Sequence, residues 1–368
     1  MPLARRTLLA SPALLFAQSP SPQPPSPTLT EIPNSAADFR GWPTLCRRRS
    51  GELLIAYSGG RQAHVCPFGR VELIRSLDNG QTWSAPQVLF DTPIDDRDAG
   101  LVETPTGALL VTTFTSIVYQ TKLSTAPSSW QDAERATTQA QKQSLLGCWM
   151  LRSTDGGLTW SAPYRVPVNS PHGPITTASG RLLYPGKDLY GSGGIAIYES
   201  PDDGLHWRLL APLPTRPGDN PAEYHELHGV EASPGHLIVH IRNHNPANDR
   251  ETLQTESHDG GKAWTTPHPI GVWGLPSHLL RLRSGRQRDG RLLMSYGYRR
   301  DPRGNHVRTS DNGGATWSAP IILSNDGAGD LGYPSTVELP SGELLTLWYE
   351  ASPTRPRAQL RLARYRLE

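Results

Sequence analysis

Short polar clusters in this sequence set carboxylates, imidazoles and guanidinium groups just ahead of apolar runs of strand length. They are Asp95-Asp96-Arg97-Asp98, Pro171-His172-Gly173, His225-Glu226-Leu227-His228 and Pro276-Ser277-His278. A carboxylate or imidazole fixed at a strand start can act as a general acid or base, and a guanidinium fork matches a carboxylate. Asp98, His172, His228 and His278 precede the glycine of the next Gly-x-Leu run by 9, 8, 7 and 12 residues. If those runs belong to equivalent sheets, positions in matching register face a common centre. Asp98, His172, Glu226 or His228, His278 and Tyr333 are then expected to ring one pocket. Taken singly, each has another use. A histidine at a strand start can cap a turn, Tyr333 can be core with its hydroxyl at the surface, Glu350 can sit on an edge strand, and Arg299, Arg300 and Arg303 can form a solvated loop. Recurrence at corresponding positions favours the pocket. His225-x-x-His228 suggests metal binding, although its spacing is not that of a His-x-x-x-His ligand pair. No metal or cofactor is expected.

The elements that must carry these residues are repeated. The pattern Ser-x-Asp-x-Gly-x-x-Trp occurs at Ser76–Trp83, Ser153–Trp160, Ser200–Trp207 and Ser257–Trp264, and Ser310–Trp317 has Asn312 for the inner aspartate. Each reads as an Asp-Gly hairpin turn followed by a Trp that anchors the next strand. A second repeat, a turn residue, Gly, one variable residue and an apolar run, has its glycines at 51, 107, 180, 235, 290 and 342, in steps of 56, 73, 55, 55 and 52. Six units of short strands near fifty residues each imply an all-β, six-bladed β-propeller with four-stranded antiparallel blades. The longest step contains Ser128 to Leu146, polar and rich in helix formers, and implies a short helical insertion in blade two that flaps over one face.

Residues 1–18 read as an export signal: Arg5-Arg6 precede an apolar stretch too short to span as a mature helix. Residues 19–29 form a Pro/Ser-rich spacer, and 30–368 suit one propeller domain. An exported chain, periplasmic or secreted, is expected, with no membrane span and as a monomer. The 35 Gly, 35 Pro and 10 Trp fit many short strands and tight turns. A net charge of +2 gives no basic stripe for nucleic acid. Of three cysteines, Cys46 and Cys66 could bridge, leaving Cys148 free.

The repeated Asp turns in a six-bladed propeller resemble the sialidase (neuraminidase) superfamily. Those turns stabilise blades and do no chemistry, so the resemblance has to reach the site. Phe39-Arg40-Gly41-Trp42-Pro43 is similar to the family's Phe/Tyr-Arg-Ile-Pro motif with an added Trp, and makes Arg40 the first arginine of a carboxylate-binding cluster. The stretch Glu226 to Arg242 resembles the segment that holds the nucleophile's partner glutamate and the second arginine. Gly332 to Glu350 resembles the segment with the nucleophilic tyrosine, implying Tyr333, and with the glutamate that orients the first arginine, implying Glu350. Arg299 is the favoured third arginine. A neutral phenol approaches an anomeric carbon bearing a carboxylate with less repulsion than a second carboxylate, and Glu226 as base would activate it.

The family's acid/base aspartate lies on the loop before the first Asp turn. Here that loop, Ser58 to Arg70, has no carboxylate before Glu72. Asp98 or His172 is therefore the expected acid/base, with His228 and His278 completing the substrate contacts. The resemblance implies a glycoside hydrolase releasing terminal acidic sugars from a glycan or glycoconjugate. The competing expectations are a lyase or glycosidase acting on uronic-acid glycans through His and Tyr, and a glycan-binding propeller without turnover.

Overall fold

The computed structural model describes residues 27–33, 38–283 and 290–367. The export-signal reading of residues 1–18 and most of the spacer lie outside them. Six four-stranded antiparallel sheets follow one another along the chain. Blade one is Phe39–Arg47, Leu53–Arg61, Arg70–Ser76 and Gln87–Phe90. Blade two opens with Asp95–Glu103, blade three with Ile175–Thr176, blade four with Tyr224–Ser233, blade five with Ser277–Arg281 and blade six with Leu331–Glu338. These six first strands surround a central channel.

Every Gly-x-Leu run becomes the second strand of its blade, Leu53–Arg61, Leu109–Ser116, Leu182–Lys187, His236–Asn243, Leu292–Tyr298 and Leu344–Ser352. A second strand is covered by neighbouring blades on both faces, which is why it reads as a continuous apolar run. Leu53, Leu54 and Ile55 are all fully buried, and each such side chain contributes about 1.5–3 kcal/mol of transfer free energy. The last sheet closes the ring: Thr28–Glu31 pairs with the chain's final strand, Arg355–Tyr365, in blade six. Thr28 and Leu29, expected in the spacer, thus belong to the propeller.

The Asp turns join third to fourth strands. In the turn at Ser153, the Ser153 Oγ accepts from Gly157 N at 2.8 Å and donates to Asp155 Oδ1 at 2.8 Å. Asp155 Oδ1 in turn accepts from the amides of Leu158 and Thr159. Asn312 fills the same place because the turn needs an acceptor oxygen rather than a charge; its Oδ1 accepts from Thr316 N at 2.9 Å. Antiparallel order puts these turns at the opposite end of each sheet from the start of its first strand.

The blade-two insertion lies on the face where the first strands start. It holds two helices, Ser128–Ala136 and Gln139–Leu145, the second opened by a Thr138/Gln141 capping box. Trp130 is buried against the blade-one loop, donating to Gln62 Oε1 at 2.7 Å. The possible Cys46–Cys66 bridge is absent: all three cysteines are free thiols. Cys46 packs against the core shared by blades one and two, whereas Cys66 lies in the loop cluster with Trp130. No helix among the described residues is long and apolar enough to cross a membrane.

Candidate active site

Four blades share a local device. Trp42, Asp98, Glu226 and Tyr333 all have positive φ, at 51°, 54°, 31° and 53°. In each case the pairing of first with second strand breaks register at that residue. A bulge of this kind re-aims a side chain out of the ladder. A bulky residue holds positive φ only where its surroundings enforce it, a strain typical of functional positions.

Three of these residues and an arginine meet or lie within electrostatic reach. The Tyr333 hydroxyl donates to Glu226 Oε1. Arg242, on the second strand of blade four, donates from Nη1 to Glu226 Oε2 at 2.5 Å and to the Tyr333 oxygen at 3.1 Å. Burial pushes the Glu226 carboxyl up, but the Arg242 charge and the Tyr333 hydrogen bond outweigh it and hold it below the usual range. Burial, reinforced by Glu226, raises the Tyr333 phenol well above its ordinary value. The resting pair is therefore a carboxylate accepting from a neutral phenol, with a base already aimed at the phenolic proton. Asp98 is buried beside them, its carboxyl pushed up to about 7 by burial and then by the Glu226 charge. Asn169 donates to it at 3.4 Å.

A second group forms the rim. Arg299 donates from Nε to Leu331 O at 3.0 Å, and its Nη2 lies 3.6 Å from Asp330 Oδ1. Tyr349 donates to the same oxygen at 2.7 Å. The other Asp330 oxygen is 2.5 Å from His64 Nδ1. Against burial, His64, Arg299 and Tyr349 hold the Asp330 carboxyl below its usual range. Arg97 Nη2 lies 3.2 Å from His64 Nε2. The Arg97 and Arg61 guanidinium groups each stack on Trp42 at 4.6 Å.

Several expected members lie elsewhere. Arg40 does not reach this group: its guanidinium packs over Tyr57 at 5.0 Å and donates to Pro33 O at 3.2 Å. The extra residue in Phe39-Arg40-Gly41-Trp42-Pro43 gives the inward position to Trp42. Glu350 therefore does not orient Arg40; it pairs with Arg361 at 2.6 Å and accepts from Trp348 Nε1 at 2.9 Å. Strand alternation gives the inward place to its neighbour Tyr349.

His172, His228 and His278 are brought together, but in a buried cluster of their own, with ring centroids 4.3 to 5.4 Å apart. They line the channel that continues toward Arg47, Glu103 and Arg281. His228 Nδ1 accepts from Leu279 N and His172 Nδ1 lies 3.2 Å from Thr44 Oγ1. Burial lowers all three imidazoles, His278 to about 3. The single expected ring is thus two layers: Asp98, Glu226 and Tyr333 above, the histidines below. His228 stands two residues beyond Glu226 on its strand, His278 lies on a first strand without a bulge, and His172 lies in the turn ahead of Ile175–Thr176.

Glu223, His225 and His244 also bring ligand-type atoms within 4.8 Å of one another. Cations already crowd them, since Lys187 Nζ is 3.3 Å from His225 Nδ1 and Arg242 Nε donates to His244 Nε2 at 2.9 Å.

Sequence reasoning passed over Arg97, His64, Asp330 and Tyr349 as site residues. Arg97 was detectable as the neighbour of Asp98. His64 was detectable as an ionisable side chain of the blade-one loop, which has no carboxylate.

A family model described as a BNR repeat-like domain matches residues 108–345. The chain belongs to the sialidase/BNR-repeat propeller superfamily. This BNR-repeat propeller is 28% identical over 351 residues to a sialidase of Bacteroides fragilis, an alignment covering 87% of the chain and 61% of that relative. It is 26% identical over 337 residues to a sialidase of Micromonospora viridifaciens, covering 86% of the chain and 42% of that relative. The chain therefore spans about three-fifths and two-fifths of the length of these relatives. A crystal structure of a Dyadobacter fermentans protein of unknown function superposes with a TM-score of 0.74 at 22% identity, covering 94% of this chain and 99% of that one. That likeness concerns the fold.

Proposed function

We propose that this propeller is a glycoside hydrolase that removes a terminal acidic, sialic-acid-like sugar from a glycan. The observation that carries the reading is the Tyr333 hydroxyl hydrogen-bonded to Glu226, with Arg242 touching both. In this reading Tyr333 attacks the anomeric carbon while Glu226 takes its proton, and a covalent glycosyl–tyrosine intermediate is then opened by water. Arg242 and Arg299 hold the substrate carboxylate. Arg242 also stabilises the charge that appears on the phenol oxygen as its proton leaves. Asp98, its carboxyl raised to about 7 by burial and the Glu226 charge, serves below that pH as a hydrogen-bond donor within the pocket.

A uronic-acid substrate is a second reading, favoured by one observation: Trp42, rather than a third guanidinium, occupies the inward position of blade one. The test is a panel of fluorogenic sialoside, glucuronide and rhamnoside, run beside unsaturated-uronate absorbance on acidic polysaccharides. Sialoside release that disappears in Tyr333→Phe supports the first reading. Glucuronide release with the same dependence supports the second. Absorbance at the double bond without fluorophore release would overturn both in favour of a lyase.

A further inference from the structure

We propose that His64, held by Asp330, is the group that exchanges a proton with the glycosidic oxygen, in the place where the blade-one loop has no carboxylate; this rests on the hydrolase reading above. The tautomer follows from its neighbours. Asp330 is ionised and can only accept, so the proton on His64 lies on Nδ1. Arg97 has only donors, so His64 Nε2 presents its lone pair. This is the arrangement in which a carboxylate fixes an imidazole and leaves the distal nitrogen for proton transfer.

Position supports the assignment. His64 sits on the loop joining the second and third strands of blade one, on the same face as the Tyr333–Glu226 pair. Its ring lies 5.0 Å from that of Trp42, which in turn is 6.3 Å from Tyr333. Its side chain is 47% exposed, open to a leaving group that must remain attached to the rest of a glycan. The charged and titratable groups about it are Asp330, backed by Arg299 and Tyr349, and Arg97. Arg61 also donates to its carbonyl and pairs with Asp95.

The chemistry balances. On substrate binding the leaving oxygen takes the place of Arg97 Nη2 at His64 Nε2. His64 Nε2 takes up one proton from solvent as the substrate binds, and the imidazolium so formed gives that proton to the leaving oxygen as the glycosidic C–O bond breaks. Meanwhile the Tyr333 Oη–carbon bond forms and the phenolic proton passes to Glu226. In the second half, neutral Nε2 takes a proton from water, the resulting hydroxide attacks carbon, the Tyr333–carbon bond breaks and Glu226 returns its proton to the phenolate. His64 is the catalytic residue and Asp330 a positioning residue.

The test compares two substrates that share a sugar but differ in leaving group, an activated aryl glycoside and an alkyl glycoside, in wild type, His64→Gln, His64→Asp, Asp330→Asn and Asp330→Glu. Loss of a proton donor should cost about 100-fold or more in kcat/KM on the alkyl substrate and much less on the aryl one. His64→Asp, which supplies a carboxylate, should recover part of the alkyl activity. Asp330→Asn should reproduce the alkyl-selective loss and move the His64 ring-nitrogen NMR signals toward the other tautomer, with Asp330→Glu partly restoring both. Equal losses on both substrates in His64→Gln, or none, overturn the assignment while the hydrolase reading stands. A wild type that releases neither leaving group, with Tyr333→Phe indistinguishable from it, overturns the hydrolase reading and this assignment with it.

Discussion

Trp42 and Tyr333 meet edge-on at the mouth of the propeller, ring centroids 6.3 Å apart and planes at 84°, each at the positive-φ residue of its blade's first strand. The same backbone device thus delivers an indole in one blade and a phenol in the next. The indole anchors two guanidinium groups, and the phenol is held by a carboxylate.

Replacing Tyr333 with Phe removes one oxygen from a buried pair. Because Arg242 still pairs with Glu226, the fold should tolerate the change. Glycoside turnover should fall by on the order of 10³-fold or more, as when a hydrolase loses its nucleophile. Steady-state kinetics beside a thermal melt checks it; retained turnover would remove Tyr333 from the chemistry.

Arg40 and Arg242 should separate cleanly. Arg40→Ala, facing Tyr57 and away from the site, should leave KM within about 3-fold. Arg242→Ala should lose about 100-fold or more in kcat/KM, the range for a charged partner of a buried group, 2–5 kcal/mol. Parallel kinetics on the two variants decides, and the reverse order would restore Arg40 to the carboxylate grip.

Asp98 should make stability depend on pH. Its folded value is raised to about 7, so its contribution is complete below the unfolded value of about 3.9 and is lost as pH rises through 7. By linkage the loss is at most about 4 kcal/mol. Asp98→Asn should therefore gain on wild type between pH 4.5 and pH 8 in urea melts. A constant difference across that range would show that Asp98 ionises normally.

Ser153→Ala removes an oxygen that ties Gly157 N and Asp155 into one turn. A loss of about 1–2 kcal/mol is expected for a buried hydrogen-bonded hydroxyl, with kcat and KM unchanged because the turn lies at the far end of the sheet. Chemical denaturation alongside kinetics tests both halves.

The fold was legible because it is written six times. Each Gly-x-Leu run has to be a central strand, and each Asp turn has to be a hairpin, whatever surrounds them. The site was legible only in part. Register against the repeats puts Glu226 and Tyr333 at one centre, the family resemblance adds Arg242, and the three side chains touch. Arg40 misled because one inserted residue changes which side chain a bulge turns inward, and no periodicity reports that. His64 and Asp330 come from segments 266 residues apart. Neither lies in a repeated position, so only the folded ring reveals that they touch. The histidines kept their register but not their depth, since register says which strand faces the channel and not how far down it a ring sits.

Closure of the ring through Thr28–Glu31 gives the protein an order of assembly. Blade six receives its outermost strand from the earliest described segment and its other three from the last, so this sheet is finished only when the two find each other. Tyr333 belongs to that last sheet, whereas Glu226, Asp98 and His64 belong to blades that come earlier in the chain. A nascent or nicked chain with five sound blades would thus have a base without its phenol partner. Turnover would report a sealed circle rather than the amount of folded sheet.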